Sequence, residues 1–192
     1  PQFQQLLKII DDNILGKIKS IEASFGFPHL AQENIRYSKN LGGGALNDIG
    51  AYCIASLLAL ARQPLNSVSG RCFSESGFEV DTYGYGVLEF DDMCVGMASW
   101  GFGRSYVNKI SVWGDKGSAL VERAFSKPIE LSTQIKVVHQ TNNLEQIFEV
   151  KGGHNHFALM FDYFTSAIVD SQKRCELYAL IDSQARVLSE LR

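Results

Sequence analysis

Residues 42–60 read GGGALNDIGAYCIASLLAL. Three glycines open directly into an Ala/Leu-rich run that carries one carboxylate, Asp48, and one phenol, Tyr52. The run predicts a helix from about Ala45 to Arg62, limited by Pro64, and its apolarity marks a core helix. Four residues apart on such a helix, Asp48 and Tyr52 share one face. Asp48 falls in the first turn, where the helix dipole favours negative charge. The glycines permit positive φ and let a second backbone or a ligand come close. A phenol can give a proton to a carbonyl oxygen or take one from an alcohol. Its ordinary pKa of about 10 means that base work at neutral pH requires a nearby cation, and no lysine adjoins it in sequence. Two readings stay open on physical grounds. Either the pair is catalytic, or Asp48 caps its own helix and Tyr52 is a core tyrosine with a hydrogen-bonded hydroxyl.

The surroundings of this helix set the fold class. Upstream, Phe3, Leu6, Leu7 and Ile10 recur at helical spacing and predict a first helix ending near Asn13 to Gly16. GKIKSIEASFGF then alternates, with Ile18, Ile21 or Ala23, and Phe25 as inward positions, so it reads as a strand. Residues 28–41 lack periodicity and form a long loop. Downstream, six stretches read as strands: NSVSGRCFSES, DTYGYGVLEF, MCVGMASWGF, VNKISVWG, SALVERAF and EQIFEV. Short turns at Asp91-Asp92 and Gly114–Gly117 separate some of them and predict sequential, largely antiparallel pairing. Two helices, about His154 to Ser171 and Glu176 to Leu191, close the chain. The expected fold is α+β: one large, mostly antiparallel sheet with helices packed on one face. The other face of such a sheet needs a cover, and a second copy of the chain is the natural one.

Composition excludes several function classes. The net charge of -3 offers no basic field for nucleic acid. No uncharged apolar run reaches the roughly 18 residues of a membrane span, so no membrane partner is expected. Cys53, Cys72, Cys94 and Cys175 are scattered, with no C-x-x-C pair and no metal-ligand spacing, so no metal is expected. Reduced thiols suit a cytoplasmic protein. His154 and His156 are read as helix-capping or locally hydrogen-bonded residues. There is no G-x-G-x-x-G between a strand and a helix, no P-loop and no βαβ alternation, hence no Rossmann domain in this chain. A hydrolase reading lacks a nucleophile elbow.

The segment GGGALNDIGAYCI resembles the central motif of the glucose–fructose oxidoreductase / inositol dehydrogenase (Gfo/Idh/MocA) family, GGG-x-L-x-D-x-G-x-H or -Y. The likeness continues in order along the chain. PQFQQLLKIIDDNILGKIKSIEASFGF is similar to that family's helix-then-strand entry to its C-terminal domain. NIR, Asn34 to Arg36, resembles an arginine signature just before the glycines. VDTYGYGVLEFDDMCVGMASW resembles the central hairpin, and WGDKGSALVERAF the strand pair with a glycine turn.

The resemblance implies that residues 1–192 form a single substrate-binding and dimerisation domain. The rest of the enzyme, a Rossmann domain binding NAD or NADP and carrying a catalytic lysine, would lie outside this chain. It implies hydride transfer to or from a sugar carbon, with Tyr52 as acid–base and Asp48 as its companion. Arg36, the adjoining Tyr37, His29 in the preceding loop and Asn108 on a strand are the substrate-binding candidates. Ala55 stands where many members carry a second Asp, which argues against an inositol-dehydrogenase-like member. VWGDKGSALVERAFSKP resembles a segment of nucleotide-sugar ketoreductases and points to a nucleotide-linked sugar. The alternative is a non-catalytic oligomerisation or ligand-binding module with the same fold.

Overall fold

The alternation expected in residues 16–27 is obeyed: Ile21, Ala23 and Phe25 are buried and Glu22 points outward. The computed structural model describes residues 1–141 and 143–192. Its strands are β1 (Ile18–Phe27), β2 (Leu65–Phe73), β3 (Tyr83–Phe90), β4 (Val95–Phe102), β5 (Val107–Gly114), β6 (Gly117–Glu122), β7 (Thr133–His139) and β8 (Glu145–Val150). They form one sheet in the order β2-β3-β4-β1-β5-β6-β7-β8. Every pairing is antiparallel except that of β1 with β4.

Among the strands that follow the central helix, strictly sequential pairing therefore fails at one place. β4 and β5 are joined by a short link yet do not pair; β1 lies between them. Phe25 stands opposite Trp100 on one side and Asn108 on the other. The link crosses the end of β1, where Gly103 takes φ 69° and Arg104 N donates to Phe27 O at 3.1 Å. Turn chemistry sets the direction of the next strand, but which strand becomes its neighbour depends on apolar matching, and β1 meets both partners with buried residues. β7 lies outside the six strands expected after the central helix. Its alternation of Thr133, Ile135 and Val137 is short, and pairing with β6 and β8 is what makes it a strand.

The helices are α1 (Gln2–Asp11), α2 (Ala51–Ala61), α3 (His156–Val169) and α4 (Ser171–Glu190). α2 fills the core face of β1 and β4 with Cys53, Ile54, Leu57 and Leu60, all fully buried. α1 covers the β7 side with Leu6 and Ile9. α4 packs on α2, where Gln184 Nε2 donates to Ala51 O at 3.0 Å. α3 rests on α4 and buries only Ala167. By length and composition Lys39–Ala61 would suffice to cross a bilayer, but 61% of its most apolar window is buried here, as in a core helix.

The opposite face of the sheet carries Glu22, Ser24, Tyr85, Met97, Ser111, Trp113 and Leu120, and among the described residues no helix covers it. Trp113 is 65% exposed there. All helix packing is thus on the side that also carries the glycine-led segment. Replacing Leu57, fully buried on the sheet-facing side of α2, with Ala should cost about 2–5 kcal/mol by urea denaturation. A loss below about 1 kcal/mol would show that α2 is not the keystone of the core.

Candidate functional site

The glycines hold a loop, not only a helix start. Gly43 N donates to Ser38 O and Gly44 N to Arg36 O, both at 2.9 Å. A Cβ at Gly43 would stand 2.4 Å from Arg36 O, so only glycine permits this approach. The loop of residues 28–41 is tightened by two 3-10 turns, Ile35–Tyr37 and Lys39–Leu41. Asn34 caps the first, its side chain accepting from Arg36 N at 3.1 Å. Arg36 is thereby fixed beside the helix mouth, and its Nε donates to Asp48 Oδ2 at 2.6 Å. The Asn34 Oδ1 also accepts from Arg36 Nη1 at 3.4 Å.

The helix departs from the expected continuous α-helix. Leu46–Gly50 is a π turn, closed by Ala51 N donating to Leu46 O, and regular α-helix starts only at Ala51. Such turns concentrate at functional sites. Gly50 faces Trp100 so closely that a Cβ would sit 2.9 Å from the indole. The wider turn carries Asp48, and the first regular turn carries Tyr52.

Tyr52 is not a core tyrosine: 53% of it is exposed. Its ring rests on Phe25 and Phe125, with centroids 6.0 and 6.1 Å away. Those two rings stack on each other at 5.2 Å. Among the described residues nothing hydrogen-bonds its hydroxyl, and Asp48 Oδ1 also has no partner. The arrangement is a free phenol on an aromatic floor, one helix turn on from a carboxylate that has one free oxygen and gives the other to a guanidinium. It can exchange a proton with a bound oxygen and accept a hydrogen bond from a neighbouring hydroxyl.

The remaining candidates separate from this group. Asn108 is buried and fully engaged: Nδ2 donates to Tyr106 Oη at 3.0 Å and Ser126 O at 2.9 Å, and Oδ1 accepts from Phe125 N at 2.9 Å. It holds the turn that presents Phe125 beneath Tyr52. His29 and Tyr37 join a second cluster. His29 Nδ1 is 3.1 Å from Tyr37 Oη, its Nε2 is 3.0 Å from Glu75 Oε2, and its ring stacks on Phe78 at 5.3 Å. Leu30 N donates to Tyr37 Oη at 3.1 Å. These two residues brace the loop that carries Arg36. No local pattern in the sequence marks Phe125 as a floor for Tyr52, and the alternation of β1 marks Phe25 only as an inward strand position.

Cys53 lies on the sheet-facing side of α2, and burial raises its thiol well above the ordinary range, which leaves it inert as a nucleophile. Among the described residues no group of three His, Cys, Asp or Glu could hold a metal ion. Nor does the glycine-led helix offer a phosphate cradle. Its first free donors, Ala45 N and Leu46 N, are taken by Asp81 O at 2.8 Å and Asp81 Oδ2 at 2.7 Å. The residues here suit the reacting end of a substrate, not the phosphates of a dinucleotide.

Comparison with known proteins identifies the family and the fold. The family model described as the GFO/IDH/MocA C-terminal domain matches residues 3–120, well over half of the chain. A dTDP-3,4-didehydro-2,6-dideoxy-alpha-D-glucose 3-reductase from Actinomadura kijaniata is 28% identical over 172 residues, 90% of this chain and 51% of that protein. Its counterpart from Saccharopolyspora spinosa is 30% identical over 129 residues, 67% of this chain and 39% of that protein. The crystal structure of a 3-ketoreductase from Actinomadura kijaniata, in complex with NADP and TDP-benzene, superposes with a TM-score of 0.89 at 26% identity. That match covers 100% of this chain and 58% of the other. The chain spans about half the length of the curated relatives it matches.

The geometry ranks two substitutions. Gly43→Ala should cost about 1–3 kcal/mol, because the new Cβ overlaps backbone. Asp48→Asn should cost about 1 kcal/mol or less, because the ion pair is only half-buried. Urea denaturation of both variants checks this order; a reversed order would mean that the ion pair, not the glycine contact, organises the site.

Proposed function

The chain belongs to the GFO/IDH/MocA family, as its C-terminal domain, and from that premise we propose that it is the substrate-binding half of an NAD(P)-dependent oxidoreductase acting on a sugar. The proposed substrate class is a nucleotide-linked sugar, following the dTDP-sugar 3-reductases among its relatives. The observation that carries the reading is the half-exposed Tyr52, whose hydroxyl has no partner among the described residues, four positions beyond the Asp48 that pairs with Arg36. In this proposal residues 1–192 are one domain, and an NAD(P)-binding domain elsewhere in the whole protein completes the pocket.

A bound nicotinamide cofactor supplies hydride chemistry at the sugar carbon. Tyr52 handles the proton. In the direction of reduction it donates its phenolic proton to the carbonyl oxygen; in oxidation it takes the proton of the alcohol. Asp48 accepts a hydrogen bond from a neighbouring sugar hydroxyl through its free Oδ1, and Arg36 holds that carboxylate in place through Oδ2. Phe25 and Phe125 give the sugar ring an apolar floor. Asn108, His29 and Tyr37 are assigned to the walls: Asn108 sets Phe125, and the other two set the loop of Arg36.

The bare sheet face supports a homo-oligomer. Tyr85, Met97, Trp113 and Leu120 are exposed on it together, more apolar side chain than a solvated sheet face usually shows. A second copy of the same face is the proposed cover. All four thiols are free, which fits a reducing, cytoplasmic setting.

In the whole protein, Tyr52→Phe should lower turnover of a dTDP-linked keto sugar by about 10²-fold or more with NADPH affinity unchanged. Near-normal turnover by a folded variant would reduce Tyr52 to a packing residue. Trp113→Glu should shift sedimentation from dimer to monomer; an unchanged oligomer would remove the sheet face as the interface.

A further inference from the structure

We propose that Asp81 is a positioning residue for the Asp48/Tyr52 site: from the entry to β3 it grips the π turn and sets where the Tyr52 hydroxyl stands. This rests on the reading of Tyr52 given under Proposed function.

Helix starts leave backbone N–H groups without partners, and a local Ser, Thr, Asp or Asn usually serves them. Here the residues before the turn are Gly42, Gly43, Gly44 and Ala45, and no local side chain caps it. Asp81, 35 residues away from Leu46 in sequence, does so instead. Its backbone oxygen accepts from Ala45 N at 2.8 Å and its Oδ2 accepts from Leu46 N at 2.7 Å. The third glycine is shaped to this contact: Gly44 has φ 116°, and a Cβ there would lie 2.2 Å from Asp81 Oδ1.

The tether has a firm base. The next residue, the fully buried Thr82, is tied into the sheet from both sides. Thr82 N donates to Phe73 O at 2.8 Å, and Phe102 N donates to Thr82 O at 2.7 Å. Asp81 thus links the β2–β3–β4 corner to the helix mouth.

Leu46 is why this is more than a cap. Asp81 holds its N–H, and its carbonyl closes the π turn onto Ala51 N. If Leu46 is released, the turn is free to relax towards an ordinary α turn. That change would rotate Asp48 against Tyr52 by tens of degrees about the helix axis. Asp81 has no ion-pair partner among the described residues. Burial lifts its carboxyl above the usual range, and the Leu46 N–H opposes that lift, as do the other N–H dipoles around it. The buried Trp100 Nε1, without a regular hydrogen bond, contributes one of those dipoles.

The test uses the whole protein and compares Asp81→Ala, Asp81→Asn and Tyr52→Phe. Asp81→Asn keeps an oxygen that accepts from Leu46 N; Asp81→Ala does not. Asp81→Ala should speed amide exchange at Leu46 and lower turnover about tenfold, well below its melting temperature, with NADPH affinity unchanged. Asp81→Asn should stay within about threefold of the parent. On a Tyr52→Phe background, Asp81→Ala should add little, because both act on one proton transfer. Should Asp81→Ala not fold, Asp81→Ser, whose shorter side chain withdraws the oxygen, takes its place.

Unchanged exchange at Leu46 overturns the proposal. So does an Asp81→Ala loss that persists in full on the Tyr52→Phe background, since that is a merely structural effect. Asp81→Asn as impaired as Asp81→Ala also overturns it, by assigning the effect to charge. Full turnover by Tyr52→Phe would sink the site itself, and the positioning role with it. Impaired Tyr52→Phe beside a normal Asp81→Ala would remove the positioning role alone.

Discussion

Two backbone hydrogen bonds, Gly43 N to Ser38 O and Gly44 N to Arg36 O, fold a loop back onto the start of a core helix. They form only because Gly43 has no Cβ to meet Arg36 O. From that contact the rest of the site follows. Arg36 is carried to within 2.6 Å of Asp48, the loop is closed around Tyr37, and the helix mouth is left open on the side of Tyr52. Remove the close approach and the arginine, the carboxylate and the phenol have no common reference.

Stability and chemistry sit on different layers of the same helix. Its sheet-facing side supplies Ile54, Leu57 and Leu60 to the core and is where the energy of burial lies. Its mouth supplies a half-buried ion pair, whose contribution to folding is on the order of 1 kcal/mol or less. Such a pair stabilises little, but its geometry is held by what lies beneath it. The aromatic floor works the same way. Phe25 comes from the central strand, Phe125 follows β6, the two rings stack on each other, and Tyr52 rests on both. Asn108 spends every polar atom on that arrangement.

The π turn adds a constraint of its own. A regular α-helix from Ala45 would place Asp48 and Tyr52 one turn apart on a single face. The wider turn at Leu46–Gly50 changes that relation, and it coincides with Gly50 lying against Trp100 and with Leu46 held by Asp81. Both contacts come from the sheet. The relative placement of the two polar groups is therefore a property of helix-on-sheet packing as much as of helix spacing.

Much was legible in the residues themselves. Alternation in Ile18–Phe27, the apolar run after the glycines and the turn residues between strands give an α+β domain, because side-chain period and backbone freedom are local properties. The glycine, Asp and Tyr pattern likewise marks the place where chemistry is gathered. The insertion of β1 between β4 and β5, and the existence of β7, came only from the fold, because neighbour choice in a sheet is decided by apolar matching across distant strands. The same holds within the site. Asn108, His29 and Tyr37 stand with Arg36 as substrate-binding candidates in the sequence, whereas strand register turns Asn108 to Tyr106, Phe125 and Ser126 and loop packing turns His29 and Tyr37 to each other. No local pattern marks the roles of Phe125 or Asp81, which reach the helix from distant parts of the chain. The sequence alone determined which groups are present and what periods they obey; tertiary packing alone decided which of them are left unpaired, and an unpaired group is the one free to act.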